Sequence, residues 1–262
     1  MTDASLLNTI LNRTSVRDFD TRRKVTEEVV KQILLAGISA PSAGNIQPRT
    51  FIVVGDESIK QQLYELCENQ AFMKDAPLWI VVCADVHRHL KAAKLTGVEY
   101  DFTGILPLTF SVLDAALSLE NMVIAAETLG LGSVIIGSVI EHPEQARQIL
   151  KLPPHCLALS ILCVGYPKKK PSRREKWSYD VIVGKDAYRD INKNDVAEYW
   201  KRFILSDLKR SNKKASMNMV EKLLKEGKRE NYGTKYANHY KEDFIKNTNK
   251  KLEKFLKNQG FL

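Results

Sequence analysis

The sequence predicts a mixed α/β core followed by a basic, helical C-terminal extension. Three observations predict it. Through residues 1–165, apolar residues at helical spacing alternate with short β-branched runs. One long segment, Leu108 to Leu129, is apolar around most of its helical circumference, as in a helix buried in a core or a subunit interface. From Asp195 onward the pattern is helical, with loops expected near Lys213 and Tyr232-Gly233.

The elements follow in order. A first helix runs through Asn12, capped by Asp3 or Ser5, with Leu6, Leu7 and Ile10 expected to face inward. Thr26 caps a second helix. Glu27 and Glu28 suit its dipole, and Val25 and Val30 are placed as a hydrophobic staple. Its inward face is Val29, Val30, Ile33, Leu34 and Ile38, and Ala40-Pro41 ends it because the residue before proline avoids the α region. Thr50–Val54 reads as a strand stopping at Gly55-Asp56, Ile59–Cys67 as a helix and Leu78–Cys83 as a buried strand. Gly130 is placed to end the long helix. Ser133–Ile136, Pro143–Leu150 and Leu157–Val164 complete the core as strand, helix and strand.

The 262 residues are 44% hydrophobic and 27% charged, too apolar for a disordered chain. The strongest apolar run, Leu78 to Ala84, has strand length, and residues 1–12 lack the layout of a secretory signal, so no membrane association is expected. Four cysteines without a CxxC pair point to a reducing, cytoplasmic setting. The formal charge of +9 is uneven: residues 201–262 hold 17 basic and 7 acidic residues, the remainder 23 and 24. The tail reads as a solvated helical face because Lys is mixed with Glu, Asn and Leu. No nucleic-acid motif accompanies it, so no nucleic-acid partner is expected.

Four segments carry chemistry. In Arg13-Thr14-Ser15-Val16-Arg17, an extended backbone would put Arg13, Ser15 and Arg17 on one face suited to a phosphate; the alternative is a surface loop with unrelated charges. In Ala40–Pro48, Ser42, Asn45 and Gln47 sit in a rigid loop whose amides either read the edge of a polar ring or simply form an Asx-type turn. Gly130–Ser138 has the wrong order for a dinucleotide fingerprint, since a helix precedes it and a strand follows. Gly137 and Ser138 either admit a flat ligand to the backbone or merely end a strand. The run from Gly165 to Lys176 is a solvated basic loop or the second half of a phosphate clamp. His87 and His89 lack a third ligand, so no metal is expected, and no GxSxG, HExxH or P-loop occurs.

Together these segments resemble the nitroreductase family of FMN-dependent NAD(P)H oxidoreductases, oxygen-insensitive type, over about residues 5–177. The resemblance implies an α+β fold with a central, mostly antiparallel sheet surrounded by helices. It also implies a homodimer with FMN at the subunit interface, and NADPH or NADH as co-substrate. Arg13, Thr14, Ser15 and Arg17 match the N-terminal phosphate and ring contacts. Ser42, Asn45 and Gln47 match the flavin loop, and Asn69 or Gln70 a polar contact to the pyrimidine edge or ribityl chain. Gly137 and Ser138 match the backbone lining near flavin N5 and O4, and Arg174 and Lys176 the end of the phosphate clamp. Arg49 departs from the pattern, which often has an aromatic residue there.

The division implied is residues 1–192 as the FMN-binding domain and 193–262 as an extension packing on the partner subunit. The flavin carries the chemistry, so no catalytic side chain is expected, and acceptors are nitroaromatics, quinones or flavins. A dehalogenase-like or flavin-cleaving member would need lid residues that Lys94–Pro107 does not offer, and a non-enzymatic binder would use the basic tail.

Overall fold

In the computed structural model, which describes residues 3–211 and 215–262 with side chains from residue 6 onward, β-branched runs become strands where both their faces are covered. Among the described residues the sheet is antiparallel throughout: β1 (Arg49–Val53), β2 (Leu78–Asp85), β3 (Gly132–Ile136) and β4 (Cys156–Gly165) lie in the order β1-β2-β4-β3. β2 is buried along its whole length, and its alternate residues serve two cores. Trp79, Val81 and Cys83 face a layer with Val16, Phe19, Leu63 and Ile136. Leu78, Ile80 and Val82 face another with Ile33, Ala115, Met122 and Leu162.

The helices of the first core are α3 (Glu57–Leu66), capped by Asp56, and α7 (Pro143–Leu150). The second core is covered by α2 (Glu27–Ile38) and α6 (Ile105–Thr128). Thr26 caps α2 by accepting from the Val29 N–H, and both staple valines pack against the core, as expected. Ile38, in contrast, is exposed at the helix end. α1 (Asp3–Asn12) lies against α6, but Leu6, Leu7 and Ile10 are exposed, contrary to the expected inward face. Among the described residues α1 touches α6 without contributing a residue to any of the buried clusters, so its apolar face stays outside the core. The Asp3 and Ser5 side chains lie outside the described ones.

α6 is long and apolar enough to cross a bilayer by length and composition. Its buried face nevertheless carries Ser111, Asp114 and Ser118 as well as Met122 and Val123. Its other face exposes Leu106, Leu113 and Leu117. Between strands, one-turn α4 (Phe72–Asp75) and α5 (His87–Leu95) were not expected from the sequence. α5 is rich in His, Arg and Lys and has little apolar period.

The chain divides into two compact units, residues 1–170 with 247–262 and residues 171–246. This packing division differs from the compositional one at 192/193. The second unit contains α8 (Tyr179–Ile182), α9 (Lys193–Arg210), α10 (Met217–Lys225) and α11 (Tyr232–His239) around Tyr199, Trp200, Ile204, Leu208 and Val220. α9 starts with a capping box between Asn192 and Asp195. The loop expected near Tyr232-Gly233 spans residues 226–231 and stops just before that pair, where the Asn231 side chain accepts from the Thr234 N–H at 2.9 Å and opens α11. The loop expected near Lys213 lies outside the described residues. α12 (Glu242–Asn258) begins in the second unit, while Phe255, Leu256 and Phe261 pack with Ala84, Val86 and Leu157 of the first. The lysines of the extension pair in part with its own acids, as Lys201 with Glu221 and Lys257 with Glu253, which fits the solvated-face reading.

One close approach fixes the N-terminal segment on the sheet. Ser15 forms a parallel bridge to Ser133, and the Val16 N–H donates to the Ser133 carbonyl at 2.9 Å. A Cβ on Gly132 would stand 2.8 Å from the Val16 Cβ and inside its methyl, so only glycine lets the segment lie down there. Gly132→Ala is expected to lower stability by about 1–3 kcal/mol through overpacking. Thermal unfolding against Gly55→Ala, a site with nothing within 4 Å, checks it; equal midpoints for the two variants would refute it.

Candidate functional site

Pairing with β3 makes residues 14–16 extended, and alternation does the rest. Thr14 and Val16 point inward, while Arg13, Ser15 and Arg17 stand on the outer side, the common face expected from the sequence. Arg13 Nε lies 3.2 Å from Glu120 Oε1 in a partly exposed pair, which solvent leaves weak and exchangeable. The Arg17 guanidinium sits 5.4 Å above the Phe72 ring. The Thr14 hydroxyl is buried and has no hydrogen-bond partner among the described residues.

At the far end of β3 the chain turns through Gly137-Ser138. A Cβ on Gly137 would meet nothing within 4 Å, so the backbone there faces open space. Gln70 Nε2 donates to Ser138 Oγ at 3.2 Å and to the Cys67 carbonyl at 3.1 Å. Two residues 68 positions apart that the sequence placed in one site are thus brought together. Asn69 is exposed in the left-handed region, φ 52°, and turns the chain toward Gln70. Burial pushes the neighbouring Cys67 thiol up to about 11, against the opposing hydrogen bond with Ser138. It therefore stays a thiol at neutral pH and offers no nucleophile.

The Ser42–Gln47 loop is built differently. Gly44, Asn45 and Gln47 all have φ near +55°, and the loop closes on itself. The Gln47 N–H donates to Ser42 Oγ at 2.7 Å, and Gln47 Nε2 to Asn45 Oδ1 at 3.3 Å. Asn45 and Gln47 remain exposed.

Two residues that sequence reasoning did not place in the site hold this loop. The Arg49 side chain, 4% exposed, donates to the carbonyls of Ile38 (2.8 Å), Ala40 (2.9 Å) and Pro41 (3.0 Å). Its Nη1 lies 3.6 Å from Asp114 Oδ2 on α6, and Asp114 Oδ1 accepts from the Ala43 N–H at 3.2 Å. Burial pulls the guanidinium below its ordinary value, and the Asp114 charge opposes that shift. Ser111, one turn earlier on α6, donates to the Pro48 carbonyl at 2.6 Å, and the Asp85 N–H meets the same oxygen at 2.9 Å. The available signal was the departure itself, a charged residue at a position where the resemblance expects a ring.

Arg174 and Lys176 belong to the second unit and are exposed in an irregular stretch. Their neighbours anchor it: Glu175 pairs with Arg202 at 3.0 Å, and Trp177 stacks on Tyr199 at 4.0 Å. His89 packs against Tyr100 and Phe102. Among the described residues no three His, Cys, Asp or Glu side chains gather at metal-binding distance.

An antiparallel sheet wrapped by helices, with cations and hydroxyls along one border and a polar loop leading into the other, defines an α+β protein whose donors suit an anionic, ring-bearing ligand. The comparisons with known proteins agree with that class. The nitroreductase family model matches residues 10–166. The chain is 30% identical over 193 residues to the NADPH-flavin oxidoreductase of Vibrio harveyi, covering 74% of this chain and 78% of that one. It is 31% identical over 188 residues to the oxygen-insensitive NADPH nitroreductase of Salmonella typhimurium, covering 71% and 75%. The structure of NfrA2 from B. megaterium superimposes with a TM-score of 0.85 at 28% identity, covering 100% of this chain and 98% of the other. The chain belongs to the nitroreductase family, whose members are generally flavin-binding dimers that use NAD(P)H.

Removing one member of the buried pair leaves the other charge uncompensated, at a cost of about 3–5 kcal/mol. Asp114→Asn is therefore expected to lose several kcal/mol in denaturant unfolding, and Arg49→Met with Asp114→Leu less than the two single losses together. Additive losses across that cycle would show the pair to be uncoupled.

Proposed function

We propose that the protein is an FMN-dependent oxidoreductase that takes hydride from NADPH or NADH and delivers it to small oxidised acceptors such as nitroaromatics, quinones or flavins. When bound, FMN supplies the two-electron chemistry, accepting hydride in one half-reaction and releasing it in the next, a ping-pong sequence. The observation that carries the reading is the donor set gathered along β3. Flavin mononucleotide presents a phosphate monoester, hydroxyls and a ring edge of alternating donors and acceptors. Arg13 and Arg17 suit the phosphate, with Ser15 between them on the same face. The buried Thr14 hydroxyl still has hydrogen bonds to make. Gln70 and Ser138 hold a polar edge, and the open backbone at Gly137 admits a flat group. Charge-assisted bonds contribute roughly 1.5–3 kcal/mol each, so a few of them retain the cofactor without a covalent link. Positive charge beside the ring would stabilise its reduced, anionic form.

The Ser42–Gln47 loop leads into β1, at the opposite border of the sheet from β3. Three strand spacings, about 14 Å, separate those borders. That separation favours a reading in which a cofactor lying along β3 meets this loop from a second copy. The exposed leucines of α6 and α1 give that copy an apolar face to cover. These features support a homodimer with its flavin sites between subunits. The sequence match adds Arg174 and Lys176 to the phosphate contacts. Four cysteines, all free and buried, suit the cytoplasm.

Two outcomes are expected. Arg13→Ala and Arg174→Ala each weaken flavin retention about tenfold or more, the equivalent of ~1.4 kcal/mol, read from the visible spectrum after dialysis; undiminished occupancy in both would remove the clamp. Leu113→Lys shifts the sedimentation profile toward monomer and strips the flavin with it. A monomer that stays yellow would mean the site is complete in one chain.

A further inference from the structure

A cavity of about 530 Å³ opens beside the flavin loop, between the end of α2, β1 and α5. Leu34, Ile46 and Phe51 give it an apolar lining, and Gln47, Arg49, Thr50, Arg88 and His89 a polar one. The volume lies in the range of small-ligand sites, and an apolar lining with a few polar groups is how such sites are made. The Arg88 side chain is 66% exposed, yet its guanidinium is held in place. Nη2 donates to Thr50 Oγ1 at 2.7 Å, and Nε lies 3.7 Å from Asp85 Oδ2. Asp85 is itself buried and occupied: it accepts from the Thr50 hydroxyl and from the Arg88 backbone N–H at 3.1 Å. An arginine has five N–H donors, and this arrangement commits one of them to Thr50 and sets Nε beside Asp85, while the side chain lines the cavity. His89 adds a polar ring, oriented by the Tyr100 hydroxyl.

We propose that this cavity is a phosphate subsite for the reagents that visit the flavin, with Arg88 as its anion-binding group. The inference rests on the oxidoreductase reading above, because that reading supplies both the visitors and their chemistry. Gln47 is shared between the flavin loop and the cavity wall, so a reagent on the flavin has this cavity beside it. Pyridine nucleotides and free flavins are planar groups carrying phosphate esters, matching an apolar lining joined by a guanidinium. A fork of N–H donors on a fixed guanidinium favours phosphate geometry over a diffuse charge.

The test compares reagents that differ in phosphate. The donors are NADPH, NADH and the phosphate-free 1-benzyl-1,4-dihydronicotinamide; the acceptors are FMN and riboflavin. In Arg88→Ala holoenzyme, kcat/KM for the phosphate-bearing members is expected to fall at least tenfold relative to the phosphate-free member in the donor set, the acceptor set or both, with partial recovery in Arg88→Lys. A fall for NADPH alone assigns the 2′-phosphate, a fall for both nucleotides the pyrophosphate, and a fall for FMN alone the acceptor's phosphate. Calorimetric titration of NADP⁺ and NAD⁺ into both proteins reads donor binding without turnover. Ratios and affinities unmoved by Arg88→Ala would overturn the subsite. A wild-type protein that holds no flavin would instead overturn the reading beneath it, and the NADP⁺ titration would still decide whether Arg88 binds a phosphate.

Discussion

A guanidinium sealed inside the molecule is the interaction on which the Ser42–Gln47 loop depends. Arg49 donates to the carbonyls of Ile38, Ala40 and Pro41 and meets Asp114 on α6. A helix end leaves carbonyls without intrahelical partners, and here one side chain takes the last of them, that of Ile38, with two more carbonyls of the turn that follows. Asp114 then reaches past the arginine to the Ala43 N–H, so a single buried pair ties the second helix, the loop and the long helix together. The charge is far from water, and for that reason it tolerates only the geometry in which every partner is present.

The opposite border of the sheet is organised by absence of volume instead of by charge. Gly132 has no side chain, Val16 occupies the space, and the arginines on either side of it inherit a common outward face. Nothing about the cations themselves requires that face. It follows from strand alternation once one backbone can approach another closely.

These two devices were unequally legible in the sequence. Strands and long helices announced themselves through period, which is why the second helix, the long apolar helix and Pro143–Leu150 were found nearly to their ends. α5 escaped because its apolar residues are too few to set a period, and α11 because a tyrosine-glycine pair reads as a turn until the Asn231 cap is seen. The exposed Leu6, Leu7 and Ile10 show a different limit: apolar spacing tells that a face is to be covered, and not what covers it. At the site, the resemblance offered Asn69 or Gln70 as a polar contact and Gly137 and Ser138 as backbone lining, but the bond between Gln70 and Ser138 spans 68 positions and exists only in three dimensions. Arg49 was visible solely as a residue out of keeping with its surroundings. Buried charges are ordinarily unfavourable, so no local rule predicts one.

The left-handed backbone at Gly44, Asn45 and Gln47 reaches beyond this molecule's own stability. Branched side chains are nearly barred from such torsions, whatever their chemistry, and glycine, asparagine and aspartate are favoured. Conformation thus filters the loop's alphabet before any ligand does. Variation that alters which acceptor is preferred should accumulate elsewhere, around the neighbouring cavity walls, where the main chain imposes no such veto.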